Sequence, residues 1–398
     1  MLSVKAGGIS PSPTLAIDAK FKEMKANGED VVGFGCGEPD FDTPQHIKDA
    51  AISAINRGMT KYTPAAGTLE LRKAVAKKFL QENGLEYAPT DIVISNGAKH
   101  SLMNTFTAIL NSGDEVLIPA PYWVSYPEMV KLADGVPVFV KTSEENDFKA
   151  SVEDLKKALT PKTKALILNS PSNPTGMVYT EEELRGIADF AVSNNLYVVS
   201  DEIYEHLIYE GKHISIASFN EKIKNLTIVI NGVSKTYAMT GWRIGFAAAN
   251  PQIAKAMASV QSHAASNPNS IAQAAAVAAL EGDKTEVEKM RKHFKNRRDY
   301  MVEAIDKIDG VSCKLPHGAF YIMMNISKLK GKTFYGQKIN SADDFAKVFL
   351  DVAKVAVVPG TGFGAEDYVR WSYATSMDNI VEGLQRLKNF LENKYENI

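Results

Sequence analysis

Short apolar runs rich in valine and isoleucine recur through the middle of the chain, and helical patterns separate them. Runs with the length and composition of buried strands occur at 91–95, 115–119, 136–140, 165–169, 196–200, 227–231 and 245–249. Strands of a parallel sheet are buried on both faces and are therefore apolar along their whole length. The pattern predicts an α/β fold with a large, mostly parallel sheet that helices cover on both faces.

Helical patterns also lie on either side of this region. Thr43 as N-cap and Pro44 at the first helical position predict a helix over 43–57, and apolar spacing predicts another over 69–83. Towards the C-terminus the pattern predicts a charged helix, short strands and further helices, at 284–308, near Val311, at 320–324, at 342–352 and from Asp378 onwards.

This change of pattern divides the predicted fold into two domains. Residues 43–285 form the large domain with the sheet. Residues 1–42 contain no strand that continues this sheet, so we place them with 286–398 in a smaller α+β domain.

Composition narrows the classes of function. The 398 residues carry 45 basic and 47 acidic side chains, a formal charge of -2, which gives no field that favours nucleic acid or an anionic membrane. Cys36, Cys313, His206 and His213 are scattered without disulfide or metal-ligand spacing, so we expect no metal site. The N-terminus lacks the apolar core of a signal peptide, and no run approaches the roughly 18 apolar residues of a membrane span, so we expect a cytoplasmic protein.

One loop combines two cations in an otherwise charge-free run. Lys235 and Arg243 lie in residues 234–245, soon after the predicted strand 227–231. A lysine amine with a lowered pKa can bond covalently to a carbonyl carbon, and a guanidinium can bind a phosphate through two hydrogen bonds. The alternative interpretation is a loop with two solvent-facing cations.

Polar residues follow several other predicted strands. They are Gly97, Ala98 and Lys99 after 91–95, Asn173 after 165–169, and Asp201 and Tyr204 after 196–200. Ligands of open α/β folds bind at the carboxyl ends of parallel strands, so we expect these residues around one pocket. The alternatives are a helix-capping or loop carboxylate for Asp201, a simple turn at Asn173 and a strand-to-helix turn without a ligand at Gly97.

Two further residues have both a structural and a functional interpretation. Arg370 lies in a strand-like run between aromatic residues, so it must either pair with an internal acid or face a ligand. Trp123 could stack on a planar ligand or pack in the core.

Together these residues form an ordered set of motifs that resembles a known family. The motifs are Gly37-Glu38-Pro39-Asp40-Phe41, Lys61-Tyr62, Pro121-Tyr122-Trp123, Asn173-Pro174-Thr175-Gly176, Asp201-Glu202-Ile203-Tyr204, the Lys235 loop and Arg370. They look like those of the class I, fold type I aminotransferases, and most like the bacterial branch that acts on aspartate.

The resemblance implies pyridoxal 5'-phosphate as cofactor and a role for each residue. It implies that Lys235 forms the Schiff base, that Asp201 pairs with the pyridine nitrogen, and that Asn173 and Tyr204 bond the ring oxygen. Trp123 is implied to stack on the ring and to contact substrate, and Arg243 with Gly97, Ala98 and Lys99 to hold the phosphate. Arg370, Asn173 and Gly37 are implied to receive the substrate carboxylate. It also implies a homodimer with shared active sites, in which Tyr62 reaches the neighbouring subunit's phosphate.

Two departures from the family concern the phosphate and the substrate. Gly232 replaces a hydroxyl residue found in many relatives, and Ser234 is expected to point elsewhere. Ser262 stands where some aspartate enzymes have an arginine for the distal carboxylate, and the bacterial branch instead uses a lysine that matches Lys99, with hydroxyls at positions like Ser12 and Thr14.

The resemblance therefore implies ping-pong transamination between L-aspartate and 2-oxoglutarate, giving oxaloacetate and L-glutamate. Aromatic amino acids, alanine or prephenate are alternative substrates, because only the side-chain pocket distinguishes them. A non-catalytic regulator that binds the same cofactor is a more distant alternative. Such regulators carry a basic helix-turn-helix module, and the sequence ahead of the first motif shows none.

Overall fold

The computed structural model describes residues 2–35 and 37–395. Its α-helices are α1 (Val4–Gly7), α2 (Pro13–Ala26), α3 (Gln45–Asn56), α4 (Leu69–Asn83), α5 (Ala98–Ile109), α6 (Ser125–Leu132), α7 (Val152–Ala158), α8 (Glu181–Ser193), α9 (Glu221–Leu226), α10 (Pro251–Ala265), α11 (Ser270–Glu281), α12 (Thr285–Ile305), α13 (Ala342–Ala353) and α14 (Met377–Leu391).

The strands alternate with these helices in the middle of the chain and become short towards its end. They are β1 (Val32–Gly33), β2 (Ile92–Ser95), β3 (Glu115–Pro119), β4 (Val136–Val140), β5 (Thr163–Asn169), β6 (Tyr197–Asp201), β7 (Thr227–Gly232), β8 (Gly245–Ala248), β9 (Ser312–Cys313), β10 (Tyr321–Asn325), β11 (Thr333–Phe334), β12 (Gln337–Lys338), β13 (Val355–Ala356), β14 (Val358–Pro359) and β15 (Tyr368–Ser372).

The central sheet has seven strands in the order β2-β8-β7-β6-β5-β3-β4. Strands β7, β6, β5, β3 and β4 pair in parallel, whereas β8 runs antiparallel to both β7 and β2. This topology confirms the predicted mostly parallel sheet. The carboxyl ends of β5, β6 and β7 therefore lie side by side at one edge of the sheet.

Successive residues of each strand face opposite sides of the sheet and enter different cores. On β7, Val229 packs with apolar residues of α3, α4 and α11, whereas Ile228 and Ile230 pack with those of α5, α6 and α10. This period-2 alternation between two apolar environments explains why the strands are apolar throughout. Helices cover both faces, as the sequence predicts.

A second, antiparallel sheet has the order β14-β15-β10-β9, and β1 pairs in parallel with β13. Val32 and Phe34, from the N-terminal part, share a core with apolar residues of α12, α13 and α14. The domain division at 42/43 and 285/286 stays a prediction. None of the helices in the described ranges has the length and apolarity that crossing a membrane requires.

The predicted N-cap of the helix near residue 43 is wrong. Helix α3 begins at Gln45 with Pro44 at the cap position. The Thr43 hydroxyl instead donates to the Ala238 carbonyl oxygen over 2.7 Å and accepts a hydrogen bond from Trp242 Nε1 over 3.0 Å. Thr43 is thus used to tie the helix start to the loop that carries Lys235, a long-range contact that a local capping pattern does not encode.

Candidate active site

A cavity of about 440 Å³ lies at the carboxyl ends of β5, β6 and β7. It brings together almost all the residues that the sequence singled out. Its walls include Gly37, Ala98, Lys99, Trp123, Asn173, Asp201, Tyr204, Lys235, Arg243 and Arg370. Gly97 lies directly beside Arg243, and Tyr62 lies elsewhere, on the surface, 90% exposed.

Lys235 lies in the turn-rich segment that follows β7. Its Nζ donates a hydrogen bond to the Gly37 carbonyl oxygen and lies 5.9 Å and 5.8 Å from the ring centroids of Tyr204 and Phe320. The amine is therefore held at the cavity wall among aromatic rings. A lysine in such surroundings is suited to bond covalently to a ligand carbonyl.

Asp201 is the last residue of β6, and its carboxylate is buried. Tyr126 Oη donates to Oδ2 over 2.6 Å, and the Ile203 amide donates to Oδ1 over 3.3 Å. Burial raises the pKa of Asp201 to about 6, although both hydrogen bonds oppose that rise. A cation beside this carboxylate would favour its charged form.

Tyr204 and Asn173 line the same cavity as Arg370. Tyr204 Oη is 2.9 Å from Tyr321 Oη, and burial holds the pKa of Tyr204 well above its ordinary value, so the phenol stays neutral and can donate. Asn173 Oδ1 accepts a hydrogen bond from Arg370 Nη1 over 3.0 Å. Both side chains can therefore serve as neutral hydrogen-bonding groups towards a ligand.

Arg370 lies inside β15 and is buried. Its Nη2 donates to the Gly35 carbonyl oxygen over 3.0 Å, and its guanidinium lies 4.4 Å from the ring centroid of Tyr321 and 5.0 Å from that of Phe363. These neutral partners orient the guanidinium plane without cancelling its charge. A planar cation so fixed suits a carboxylate that it can bind through two hydrogen bonds.

The start of α5 and Arg243 form a cradle for an anion. Gly97 has φ of 85° and precedes the helix without a side-chain cap, so the positive end of the helix faces the site. A Cβ at Gly97 would lie 2.3 Å from Arg243 Nη2, and one at Gly245 would lie 2.1 Å from the Ala98 backbone nitrogen. Only glycine at both positions permits this close approach of β8, Arg243 and the helix start.

Close packing of two strands explains the glycine at position 232, three residues before the lysine. A Cβ at Gly232 would lie 3.0 Å from the Gly245 Cα, because β7 and β8 approach closely there. Ser234 is one of the residues that line the cavity, and the direction of its hydroxyl stays a prediction. Gly232 itself has no side chain to offer a ligand.

A second group of residues lines the cavity near Trp123. Lys99 Nζ lies 4.8 Å from the Trp123 ring centroid, and burial, with Arg243 nearby, lowers the pKa of Lys99. Thr14 Oγ1 is buried at the wall and has no hydrogen-bond partner within the described chain. Ser12 caps α2, its hydroxyl accepting from the Leu15 amide over 3.4 Å, and Ser262 is exposed on α10, away from the cavity.

Tyr126 and Tyr321 are among the cavity residues that were not identified from the sequence. Tyr126 lies three residues after the Pro121-Tyr122-Trp123 motif, but no local signal connects it to Asp201. Tyr321 lies on β10 and pairs with Ser372 of β15, two residues from Arg370 on that strand. Its place near Arg370 follows from the pairing of β10 with β15, which the sequence analysis did not predict.

The histidines that appeared scattered in the sequence are close to carboxylates in the structure. His213 lies with Glu202 and Glu205, and His206 lies with Glu82 and Glu205. The ammonium of Lys78 pairs with Glu205 in the same cluster. Since that carboxylate is already neutralised by a buried cation, the cluster is an ion-pair network and offers no support for a metal.

Comparison with known proteins agrees with this geometry. The family described as Aminotransferase class I and II matches residues 29–387. An aspartate aminotransferase of Bacillus sp. (strain YM-2) is 51% identical and a probable aspartate/prephenate aminotransferase of Aquifex aeolicus is 48% identical, each over 98% of this chain and at least 98% of its own length. The solved structure of Thermus thermophilus aspartate aminotransferase with maleate has a TM-score of 0.93 and 44% identity, covering 98% of this chain and 99% of that one.

The match along most of the chain shows the family. The chain belongs to the class I and II aminotransferases. It is an aminotransferase, as the motifs predict.

Replacing Asp201 with Asn tests the carboxyl whose pKa burial raises from 3.8 to about 6. The folded state holds this proton up to about pH 6 and the unfolded chain releases it near its ordinary pKa, so stability falls as pH rises through this window. Relative to the native protein, Asp201→Asn should gain up to about 3 kcal/mol between about pH 4 and about pH 7. Urea unfolding of both proteins, stripped of small molecules, measures the difference.

Tyr126→Phe serves as the control for this prediction. Loss of the phenol removes a hydrogen bond that lowers the pKa of Asp201, so the pH window should move upwards. Stability curves of the native protein and Asp201→Asn that stay parallel across the window would contradict the assignment.

Proposed function

We propose that the protein transfers the amino group of L-aspartate to 2-oxoglutarate with pyridoxal 5'-phosphate, giving oxaloacetate and L-glutamate in a ping-pong reaction. The observation that carries the proposal is the convergence of the Lys235 amine, the Asp201 carboxylate and the Arg370 guanidinium on one cavity. An amine, an acid and a carboxylate-binding cation are the groups that such a reaction requires.

The residues present fit this cofactor. Arg243 and the uncapped start of α5 would hold the phosphate, and Gly97 and Gly245 let these two elements lie close enough together to do so. Asp201 would pair with the ring nitrogen, Asn173 and Tyr204 would bond the ring oxygen, and Trp123 would stack on the ring. When bound, pyridoxal phosphate supplies an electron-withdrawing ring that stabilises negative charge at the substrate Cα.

The chain's own residues then carry the proton and orient the substrate. Arg370 binds the α-carboxylate, helped by Asn173 and the backbone near Gly37, and this fixes the direction of the Cα–H bond. Lys235, once its amine is free, takes the Cα proton as general base and returns it to the neighbouring carbon as general acid. Release of the oxo acid then consumes one water molecule.

Lys235→Ala and Lys235→Arg test the central residue. Alanine removes the proton-transferring amine, and arginine keeps the charge but neither deprotonates nor bonds to a carbonyl, so transamination should fall by about 10⁴-fold in both. A coupled assay for oxaloacetate measures the rate, and visible absorbance after addition of pyridoxal phosphate measures the covalent cofactor. A turnover that survives either substitution would sink the assignment, and cofactor binding without any turnover in the native protein would favour the regulator instead.

Aspartate is the proposed substrate because Lys99 gives the cavity a cation in addition to Lys235, Arg243 and Arg370. Lys99 faces the Trp123 ring, and the buried Thr14 hydroxyl at the same wall is a hydrogen-bonding group that a ligand could satisfy. Maleate, bound by the Thermus relative, is a four-carbon dicarboxylate like the oxo acid of aspartate. Prephenate also carries a second carboxylate, and the Aquifex relative's description makes it the second candidate.

Lys99→Met should change substrate preference more than reaction rate. Loss of a charge-assisted hydrogen bond predicts that kcat/KM for aspartate falls by about 10- to 100-fold, whereas that for alanine, which has no second carboxylate, changes by less than about threefold. Steady-state kinetics with both substrates check this, with Ser262→Ala, outside the cavity, as control. An equal loss for both substrates would show that Lys99 acts on the cofactor alone.

We also infer a homodimer that completes each site. The 90% exposed side chain of Tyr62 is unusual for a tyrosine. A second hollow beside Arg243, lined among others by Asn96, Trp242 and Asn269, offers space for a partner's residue at the phosphate end. The cytoplasmic location stays a prediction.

Tyr62→Phe tests the shared site. The phenol should contribute one hydrogen bond to the phosphate of the neighbouring site, so its loss should weaken pyridoxal phosphate binding by about 5- to 20-fold without altering the mass. Fluorescence titration measures affinity, and analytical ultracentrifugation measures the mass. Tyr300→Phe, on the exposed side of α12, is the matched control, and a single-chain mass or an unchanged affinity would refute the shared site.

A further inference from the structure

Two buried side-chain contacts join the lysine segment to the segment that carries Asp201 and Tyr204. Asn231 Nδ2 donates to Glu205 Oε1 over 2.7 Å, and Thr236 Oγ1 lies 3.2 Å from His206 Nδ1. Asn231 and Thr236 are each only 1% exposed. One contact lies before Lys235 along the chain and the other directly after it, so the lysine is held from both sides.

The surroundings of the histidine show what the second hydrogen bond contributes. His206 Nε2 lies 3.1 Å from Glu82 Oε2, and burial lowers the pKa of His206. Nδ1 lies 3.6 Å from Glu205 Oε1 as well as beside the Thr236 hydroxyl, so carboxylates flank both ring nitrogens. Whichever nitrogen carries the proton, valine in place of Thr236 would remove the hydroxyl partner of Nδ1.

Side chains of helix α4 pair with Glu205 and His206, the partners of Asn231 and Thr236. Lys78, buried on that helix, pairs with Glu205 and donates to Asn83 Oδ1 over 2.8 Å, and the Lys78 cation lowers the pKa of Glu205 despite burial. Glu82 lies one turn further along the same helix and pairs with His206 and with Lys284. Because the Glu205 carboxylate is buried and paired with Lys78, it keeps a fixed position and orients the neutral Asn231 amide that donates to it.

We propose that Thr236 and Asn231 are positioning residues for Lys235, which lock the lysine segment to Glu205 and His206 and thereby to Asp201 and Tyr204. This inference rests on the proposed transamination. In that reaction the Lys235 amine moves a proton between two carbon atoms at a stage when the amine is no longer bonded to the cofactor. The two contacts keep its segment in register with the groups that hold the cofactor ring.

Thr236→Val tests the proposal because it removes the hydroxyl and preserves the shape of the side chain. Thr236→Ser restores the hydroxyl at the loss of one methyl group. Thr227→Val is the matched control. Thr227 is the buried first residue of β7, and its hydroxyl donates to the Ile223 carbonyl oxygen over 2.7 Å. The three variants separate loss of a particular hydrogen bond from general loss of packing.

The first measurement is amide hydrogen exchange by mass spectrometry on the full chain without added cofactor. Exchange in a peptide spanning residues 233–238 should rise by about fivefold or more in Thr236→Val, the effect of one lost hydrogen bond, and stay near the native rate in Thr236→Ser and Thr227→Val. Thermal midpoints of Thr236→Val and Thr227→Val should be similar. Faster exchange in Thr227→Val, or equal exchange in Thr236→Val and Thr236→Ser, would overturn the proposal.

The second measurement is the division of the kinetic effect between kcat and KM with pyridoxal phosphate and aspartate. Thr236→Val should lower kcat by about tenfold with KM nearly unchanged, because only proton transfer depends on the released amine, and Thr236→Ser should recover most of it. A loss confined to KM would overturn the positioning role. Failure of the native protein to transaminate would refute the proposed function instead, while the exchange measurement would still report on the contact.

Discussion

Burial of the Asp201 carboxylate at the end of β6 is the constraint around which the site is built. A carboxylate removed from water is unstable unless hydrogen bonds or a cation replace its hydration. The Tyr126 hydroxyl and the Ile203 amide compensate only in part, since the pKa remains raised. The remaining deficit favours a ligand that brings a positive charge to this point. Electrostatics at Asp201 therefore favours a positively charged group at this point, whatever the shape of the cavity.

Much of this arrangement can be predicted from the sequence, for reasons that differ between fold and site. The strands were recognisable because each is buried on both faces, and their ends placed Asn173, Asp201 and Lys235 at one edge of the sheet. Contacts between distant segments were not recognisable: Tyr126 and Asp201 are 75 residues apart, and no local pattern links them. Thr43 shows the converse, because its local capping signal was misleading: its hydroxyl makes a long-range contact with the lysine loop and does not cap α3.

The residues proposed for the reaction and those proposed for substrate choice lie in different parts of the fold. Asp201 ends β6, where backbone pairing with β5 and β7 fixes it, and Asn173 and the lysine segment follow the ends of β5 and β7. Thr14 belongs to α2 near the N-terminus, and Lys99 to the first turn of α5. Substitutions at these peripheral positions leave the sheet intact, so substrate range can diverge while the chemistry stays the same. Relatives with different described substrates but similar identity agree with this separation.

The reversed direction of β8 has a consequence for the order in which the protein is made. Strand β2 lies at the edge of the sheet beside β8, which follows it by some 150 residues in the chain and lies between it and β7. As the ribosome releases the chain, the parallel strands can assemble first, but β2 has no neighbour until residues 245–248 emerge. The turn at Gly97 and the Arg243 cradle both belong to this late edge. The nascent protein therefore completes its anion-binding cradle only after the parallel part of the sheet, and a chain that ends before β8 lacks this cradle.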